Sequence, residues 1–162
     1  KFDKDGYLSF SGKSNKIIYE QAQELYMNSI NEKKFSYDVN DFDVSFVRGL
    51  TLEDGAATLT DFTASIISKE ILISLENCKE KVQDILVCGG GRKNKYFNQK
   101  IKENLPININ LKLVDDYKID GDFIESQAFA YLAIRAILKL PISFPGTTLC
   151  NTPSAGGELI EN

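Results

Sequence analysis

An apolar run that ends at three consecutive glycines constrains the fold of this chain more than any other feature. Residues 85–88 read Ile-Leu-Val-Cys, Gly89, Gly90 and Gly91 follow them, and a polar segment of helical period comes next. This order predicts a buried strand, a tight turn and the start of a helix. Because glycine has no Cβ atom, the turn can adopt positive φ and let another molecule approach its backbone.

Two interpretations of this turn stay open on the residues alone. The amides at the start of the following helix can face an anion, typically a phosphate. Alternatively, the glycines only provide a sharp turn between the strand and the helix. A lone glycine-rich motif discriminates poorly between these interpretations, so the neighbouring segments have to decide.

The residues after the glycines predict a βαβ unit. Helical period over residues 94–104 places Phe97, Ile101 and Leu105 inward, and Pro106 ends that helix. Residues 107–114 then alternate apolar and polar side chains, as a half-buried strand does. We therefore expect an α/β fold class in which the two strands are parallel and the crossover is right-handed.

Other segments with helical period surround this unit. Helices are predicted over residues 15–30, 40–48 and 56–75 and from Asp122 to the prolines at 141 and 145. Thr51 and Asp54 fit a capping box before the long helix, which should lie deep against the sheet. Phe42 and Phe46 should stack on one face of the short helix, because they are four residues apart.

The two ends of the chain carry weaker signals. Residues 1–12 contain two turn signals and suggest an extended arm or the end of a strand. Asp122, with Glu125 three residues later, suggests a capping-box start for the last helix. That helix is expected to bury one apolar face, made of Phe123, Ala128, Leu132, Ala133, Ala136 and Ile137.

The composition excludes several classes of function. The chain has 162 residues, of which 43% are hydrophobic and 26% charged, as in an ordinary globular domain with a real core. Its net charge of −4 argues against nucleic acid or an anionic membrane surface as a partner. No apolar run approaches the roughly 20 residues that span a bilayer, and we expect a cytoplasmic protein.

The residue types also limit the chemistry. The chain has no His and three scattered cysteines, which favours incidental thiols over a disulfide frame or a zinc site. Without His, a Ser or Cys nucleophile lacks its usual activating base. Any chemistry must therefore use carboxylates, backbone amides or a metal held by oxygen.

Three polar clusters coincide with predicted helix starts. They are Glu53-Asp54-Gly55, the three glycines with Asn94, and Asp120-Gly121-Asp122 with Glu125. The last two clusters follow predicted strands, and the carboxyl ends of parallel strands line the ligand crevice of α/β sheets. Caps and turns explain the same residues, since helix starts favour these residue types in any case.

Four stretches of the chain resemble one enzyme family and occur in the family's order. They are residues 2–6 with Gly12-Lys13, residues 49–64, residues 87–94 and residues 121–133. In these stretches the chain is similar to the C-terminal part of anhydro-N-acetylmuramic acid kinase, a bacterial enzyme of cell-wall recycling. The combination is far more specific than the three glycines by themselves.

The resemblance implies a fold and an activity. The fold is the C-terminal lobe of the two-domain architecture shared by sugar kinases, actin and the heat-shock chaperone ATPases, with ATP between the lobes. The activity is ATP- and Mg²⁺-dependent opening of the 1,6-anhydro ring of anhydro-N-acetylmuramic acid, which gives N-acetylmuramic acid 6-phosphate. The implied partners are therefore a nucleotide and an anhydro amino sugar.

The resemblance also assigns site residues. Gly89, Gly90 and Gly91 would lie against the nucleotide. The residues that would shape the nucleotide side of the cleft are Glu53, Asp54, Gly55 and Thr58. Asn94 and Glu125 would face the same cleft, with Glu125 the candidate for a sugar contact.

Parts of the family pattern lie outside this sequence. The family's N-terminal lobe, its first phosphate-binding turn and its catalytic aspartate precede the matching stretches, and the Mg²⁺ ligands are expected there too. We therefore expect a piece of a longer protein, with a kinase lobe over residues 1–145 and a Gly/Pro/Ser/Thr-rich tail over residues 146–162. The family tends to have Thr-Gly-Ala where residues 146–150 read Gly-Thr-Thr-Leu-Cys, which puts a role of the tail in doubt.

Two hypotheses follow from the sequence. In the first, the chain is the nucleotide-side lobe of an anhydro sugar kinase, inactive alone, with its other lobe lost or supplied by a separate chain. In the second, it is a non-catalytic interaction module that oligomerises, for instance as a homodimer, because small sheets expose edges that need covering. The first predicts that Gly90→Val weakens nucleotide binding, by strain if φ is positive there and by blocking the phosphate.

Overall fold

The computed structural model describes residues 2–29 and 39–160. The chain divides into two compact units, Lys1–Leu113 and Val114–Asn162.

The first unit contains four helices and two strands among its described residues. In chain order they are α1 (Tyr7–Ser11), α2 (Lys16–Ser29), α3 (Leu52–Asn77), β1 (Asp84–Val87), α4 (Lys95–Glu103) and β2 (Asn110–Leu113). Short 3-10 turns occur at Lys4–Gly6, Val39–Asp41, Ser45–Val47 and Gly90–Lys93. This mixture of helices with a small parallel sheet confirms the α/β fold class.

Strands β1 and β2 form a parallel pair joined through helix α4, as the βαβ pattern predicts. The register sets Ile85 opposite Leu111 and Val87 opposite Leu113. The prediction of a buried β1 is wrong, because only one face of the strand is covered. Ile85 lies half-buried towards α3, whereas Leu86 is 47% exposed.

The core of the βαβ unit lies between α3, α4 and the sheet. Ala64, Ile101, Leu105 and Ile109 form its buried cluster, and Ile85 packs against it from β1. The inward positions predicted for α4 are therefore confirmed. A second buried cluster joins α2 to α3 through Ala22, Tyr26 and Phe62.

Helix α3 begins at Leu52, four residues before the predicted start. The Thr51 hydroxyl accepts a hydrogen bond from the Asp54 amide at 3.1 Å, which confirms the N-cap half of the predicted capping box. The reciprocal half is wrong, because the Asp54 carboxylate accepts the Lys13 amide instead. The four extra residues form the first turn that this cap stabilises, by roughly 1 kcal/mol. Helix α3 is also buried along much of its length, at Gly55, Ala57, Thr58, Phe62, Ala64 and Ser68.

Two predicted elements of the first unit are wrong. Residues 1–12 are not an extended arm, because their described part is a 3-10 turn followed by α1. The Asp3 carboxylate causes this folding by accepting hydrogen bonds from the amides of Leu8 and Ser9 at 2.8 and 3.0 Å. The helix predicted over residues 40–48 is replaced by two 3-10 turns.

The aromatic residues of that segment find partners on helices and do not stack on each other. Phe42 stacks on Tyr26 with ring centroids 5.6 Å apart, and Phe46 meets Phe62 edge to face at 5.1 Å. Tertiary aromatic contacts thus replace the predicted contact between residues four apart.

The second unit contains a 3-10 turn at Val114–Tyr117, helix α5 (Ile124–Ile137) and helix α6 (Pro145–Thr148). Ser143 and Ser154 form an isolated antiparallel bridge. Pro145 therefore begins a short helix instead of ending one. This agrees with the preference of proline for the first helical turn.

Two predictions about α5 are wrong. The helix starts at Ile124 without a side-chain cap, and the Asp120 carboxylate instead accepts the Asp122 amide at 2.9 Å in the preceding turn. Asp122 and Glu125 therefore form no capping box. The expected apolar core face is also missing, because no residue of α5 is buried.

None of the helices in residues 2–29 and 39–160 is long and apolar enough to cross a bilayer.

Candidate functional site

The glycine turn leaves the carboxyl end of β1 in an unusual backbone conformation. Gly89 has φ 73° and ψ −177°, and Gly90 begins the 3-10 turn that runs to Lys93. Positive φ occurs at Gly89 and not at Gly90 or Gly91. A side chain would therefore strain the backbone at Gly89, whereas the strain considered for Gly90→Val does not apply.

One side of this turn is open and the other is packed. A Cβ atom at Gly89 or Gly90 would meet no heavy atom of the described residues within 4 Å. A Cβ atom at Gly91 would lie 3.6 Å from the ring of Phe97. The open side can receive a ligand directly on the backbone, while the packed side is held against α4.

Helix α4 starts one turn later than the glycines, at Lys95, with Asn94 as its N-cap. The Asn94 carboxamide oxygen accepts the Phe97 amide at 2.9 Å. The same oxygen would lie only 2.0 Å from a Cβ atom at Gly6, whose φ is +77°. Asn94 is thus placed by its cap and by close contact with Gly6, and its predicted contact with a nucleotide stays a prediction.

Arg92 lies beneath the turn and is 6% exposed. Its guanidinium Nη1 donates to the Gly89 carbonyl at 3.0 Å. Asn98 on α4 donates from Nδ2 to the Arg92 carbonyl at 2.7 Å. Neither residue is predicted by sequence reasoning, since an arginine beside glycines and an asparagine in a polar helix both suggest solvent exposure.

The start of α3 holds the segment that follows α1. Asp54 accepts the Lys13 amide at 2.8 Å, and Thr58 accepts the Asn15 amide at 2.9 Å. The fully buried Thr58 hydroxyl also donates to the Asp54 carbonyl at 2.7 Å. These groups hold neighbouring backbone, so the predicted nucleotide role of Asp54 and Thr58 stays a prediction.

Glu53 and Gly55 complete that cluster. The Glu53 side chain is exposed, but its carbonyl oxygen would lie 2.0 Å from a Cβ atom at Gly12. Gly55 is buried, and its amide donates to the Thr51 carbonyl at 2.8 Å. The first turn of α3 and residue 12 therefore touch backbone to backbone.

The N-terminal segment connects two of the three predicted clusters. The 3-10 turn Lys4–Gly6 packs against the turn Gly90–Lys93, and α1 packs against both α3 and α4. The Asp3 carboxyl is partly buried, which opposes its charge. Hydrogen bonds from the Ser9 hydroxyl and from the amides of Leu8 and Ser9 outweigh this and lower the pKa of Asp3 below its ordinary value.

The third cluster lies in the second unit. Glu125 is exposed in the first turn of α5, and its predicted sugar contact stays a prediction.

An ion cluster of three side chains connects α4 to α3. Lys100 Nζ lies 3.5 Å from Asp61 and 3.2 Å from Glu103. Partial burial of Lys100 opposes its charge, but the hydrogen bond to Glu103 and the charges of Asp61 and Glu103 raise its pKa above the ordinary value. This ion cluster fixes the helix that carries Asn94 and Asn98.

The described residues contain no group of three His, Cys, Asp or Glu side chains that could hold a metal ion. Cys78, Cys88 and Cys150 are free thiols. The site therefore consists of an open backbone turn and the buried polar groups that support it.

An open glycine turn at the carboxyl end of a parallel strand is the arrangement by which α/β proteins bind ligands. The sequence model of the anhydro-N-acetylmuramic acid kinase family matches residues 1–161 of this chain. The chain belongs to the anhydro-N-acetylmuramic acid kinase family.

Individual relatives agree with this assignment. Anhydro-N-acetylmuramic acid kinase of Pelagibacter ubique (strain HTCC1062) is 55% identical over 162 residues, which are 100% of this chain and 43% of the relative. The enzymes of that name from Caulobacter vibrioides and Zymomonas mobilis are 37% and 33% identical, over 99% and 98% of this chain and 41% of each relative. The chain thus spans about two fifths of the length of the curated relatives it matches.

Proposed function

We propose that this chain is the nucleotide-side lobe of an ATP-dependent kinase that acts on 1,6-anhydro-N-acetylmuramic acid. One observation carries the proposal: in a chain of this kinase family, the open glycine turn leaves the carboxyl end of a parallel strand. The lobe, over residues 1–145, has the fold shared by sugar kinases, actin and heat-shock chaperone ATPases. Residues 146–162 form its tail, and the protein works in the cytoplasm in cell-wall recycling.

In the proposed reaction, water attacks the anomeric carbon and the bond from that carbon to O6 breaks. The O6 oxygen takes the γ-phosphoryl group of ATP, and the product is N-acetylmuramic acid 6-phosphate with ADP. The amides of Gly90 and Gly91 contribute hydrogen bonds to phosphate oxygens, because phosphoryl transfer depends on positioning and charge stabilisation. The base that takes the proton of water belongs to the family's other lobe.

The remaining site residues have supporting or neighbouring roles in this proposal. Asp54, Gly55 and Thr58 shape the nucleotide side of the cleft from within, Glu53 and Asn94 border it, and Glu125 contacts the sugar. When bound with ATP, Mg²⁺ would neutralise part of the phosphate charge. The described residues do not fit a metal site of their own, so we assign no Mg²⁺ ligand to this chain.

Gly90→Val tests the phosphate-binding role of the turn. Gly90 has no positive φ, and a Cβ atom added there would meet no described heavy atom within 4 Å. The variant should therefore fold with a Tm close to that of the wild type. Its branched side chain fills the space that a phosphate needs, and the affinity for ATP should fall about tenfold or more. Isothermal calorimetry with ATP and Mg²⁺, beside a thermal melt, measures both quantities.

Gly146→Val is the matched control for this experiment. Gly146 also lies at the start of a short helix, without positive φ and without a described heavy atom within 4 Å of its Cβ position. It should leave ATP affinity unchanged. Equal ATP affinities of the wild type and Gly90→Val would contradict a phosphate contact at this turn.

The chain alone is expected to have no kinase activity. A kinase holds the γ-phosphate with groups from both lobes, and the proposed general base lies outside these residues. Coupled detection of ADP, with 1,6-anhydro-N-acetylmuramic acid, ATP and Mg²⁺, should give the rate of a blank without protein. Sugar-dependent ADP release by the purified 162-residue chain, abolished by Gly90→Val, would overturn this expectation.

A non-catalytic module is the second candidate, and an apolar groove favours it. The groove has a volume of about 890 Å³ and runs along α3 and β1, lined by Phe42, Phe62, Ile66, Ile71 and Ile85 among others. Sedimentation velocity distinguishes the candidates when combined with the calorimetry above. A stable oligomer that binds no ATP supports the module, and ATP binding supports the kinase lobe.

A further inference from the structure

We propose that Arg92 is a positioning residue that shapes and polarises the glycine turn for an incoming polyphosphate. The inference rests on the proposed function, since it concerns the same turn. It goes further by assigning affinity for the anion to a buried side chain that no ligand needs to touch.

The geometry ties Arg92 to the residue with the strained backbone. Two donors of Arg92 converge on the Gly89 carbonyl, Nη1 at 3.0 Å and the backbone amide at 3.3 Å. The Arg92 carbonyl in turn accepts Asn98 Nδ2 at 2.7 Å. The turn is thereby connected to α4 through one buried arginine, which is 6% exposed.

This connection has a consequence for charge. A carbonyl oxygen that pointed to the open side would repel a phosphate, whereas Arg92 holds the Gly89 carbonyl towards the protein. The guanidinium keeps its proton at all physiological pH values, so this hold on the carbonyl does not depend on pH. The carbonyl is therefore turned away from the open side before an anion arrives, and binding needs no reorganisation of the turn.

Arg92→Met in the full chain tests the inference, with Lys95→Met as the control. Lys95 is an exposed lysine in the first turn of α4, so its replacement removes the same charge nearby without touching the Gly89 carbonyl. Calorimetry with ATP and saturation-transfer NMR with adenosine provide the readouts. Arg92→Met should lower the affinity for ATP about tenfold and the affinity for adenosine less than twofold. Lys95→Met should change either affinity less than twofold.

Arg92→Lys separates charge from shape. It keeps the cation but loses the planar fork, so its ATP affinity should fall between those of the wild type and Arg92→Met. An equal loss of ATP and adenosine affinity in Arg92→Met would overturn the inference, because a merely structural role weakens both ligands alike. Unchanged ATP affinity would overturn it as well.

Amide hydrogen exchange distinguishes failure of this inference from failure of the proposed function. If the wild type binds no ATP, the proposed function fails, and the turn is judged by the Arg92 and Asn94 amides, which donate to Gly89 and Gly91. Arg92→Met should speed their exchange about tenfold relative to amides within α4. Asn98→Leu, which leaves the arginine in place, should show the same effect more weakly if Arg92→Met does not fold. Wild-type exchange rates in a folded variant would overturn the inference.

Discussion

Gly12→Ala is expected to destabilise the first unit by about 3 kcal/mol. The new Cβ atom would lie 2.0 Å from the Glu53 carbonyl oxygen, 2.2 Å from its carbon and 2.8 Å from the Asp54 amide nitrogen. All three atoms are backbone in the first turn of α3, so no flexible side chain can move aside. Because the φ of Gly12 is −92°, the penalty is steric and not conformational.

Urea denaturation followed by circular dichroism measures this effect, and Gly90→Ala is the matched control. Gly90 lacks positive φ and has no described heavy atom within 4 Å of its Cβ position. The control should therefore be neutral or stabilised by a few tenths of a kcal/mol. Equal midpoints for the two variants would show that residue 12 does not touch α3 in solution.

Phe62→Ala is expected to lower the free energy of unfolding by about 4 kcal/mol. Phe62 is 5% exposed and meets the ring of Phe46 at 5.1 Å and that of Tyr26 at 6.0 Å, both edge to face. Truncation removes the transfer free energy of the ring and both aromatic contacts. It also leaves a cavity between α2 and α3 that the surrounding helices can fill only in part.

Phe2→Ala is the control for Phe62→Ala, because it makes the same chemical change at a residue that is 85% exposed. It should alter the free energy of unfolding by less than about 0.5 kcal/mol. Thermal melts and urea titrations of both variants measure the difference. Similar losses in the two variants would contradict a buried Phe62, and a small loss in both would place Phe62 at the surface.

The βαβ unit could be predicted because its signals are local. The alternation over residues 107–114, Pro106 after α4 and the three glycines after β1 each act within a few residues. The cap of α3 could be predicted for the same reason, since the Thr51 hydroxyl bonds an amide three residues away. Periodicity and capping are thus sufficient where short-range contacts determine the element.

The incorrect elements have two kinds of cause. Asp3 folds the first residues into a helix through local bonds to Leu8 and Ser9, which the turn signals of that segment do not reveal. Phe42 and Phe46 find aromatic partners on α2 and α3 instead of each other. Periodicity at α5 predicted a core face, but periodicity cannot show what covers a helix.

The candidate site also contains features that the sequence predicts and features that it does not. The position of the glycine turn follows from sequence, and so does the cap at Asn94, a residue type that helix starts favour. Burial of Arg92 does not follow, because it requires a cavity that distant residues form. The close approach of Gly12 to Glu53 is likewise invisible in the sequence, because residues 13–52 separate the two positions.

The contact between Gly6 and Asn94 makes these two positions interdependent. A methyl group at position 6 needs the space of the carboxamide oxygen at position 94, and the removal of that carboxamide leaves the first turn of α4 without its cap. A substitution at position 6 therefore disturbs the cap of α4, and a larger side chain at position 6 is tolerated only if the Asn94 carboxamide is lost. An engineered exchange at this pair has to supply a small side chain at position 94 and a new cap for the helix in the same step.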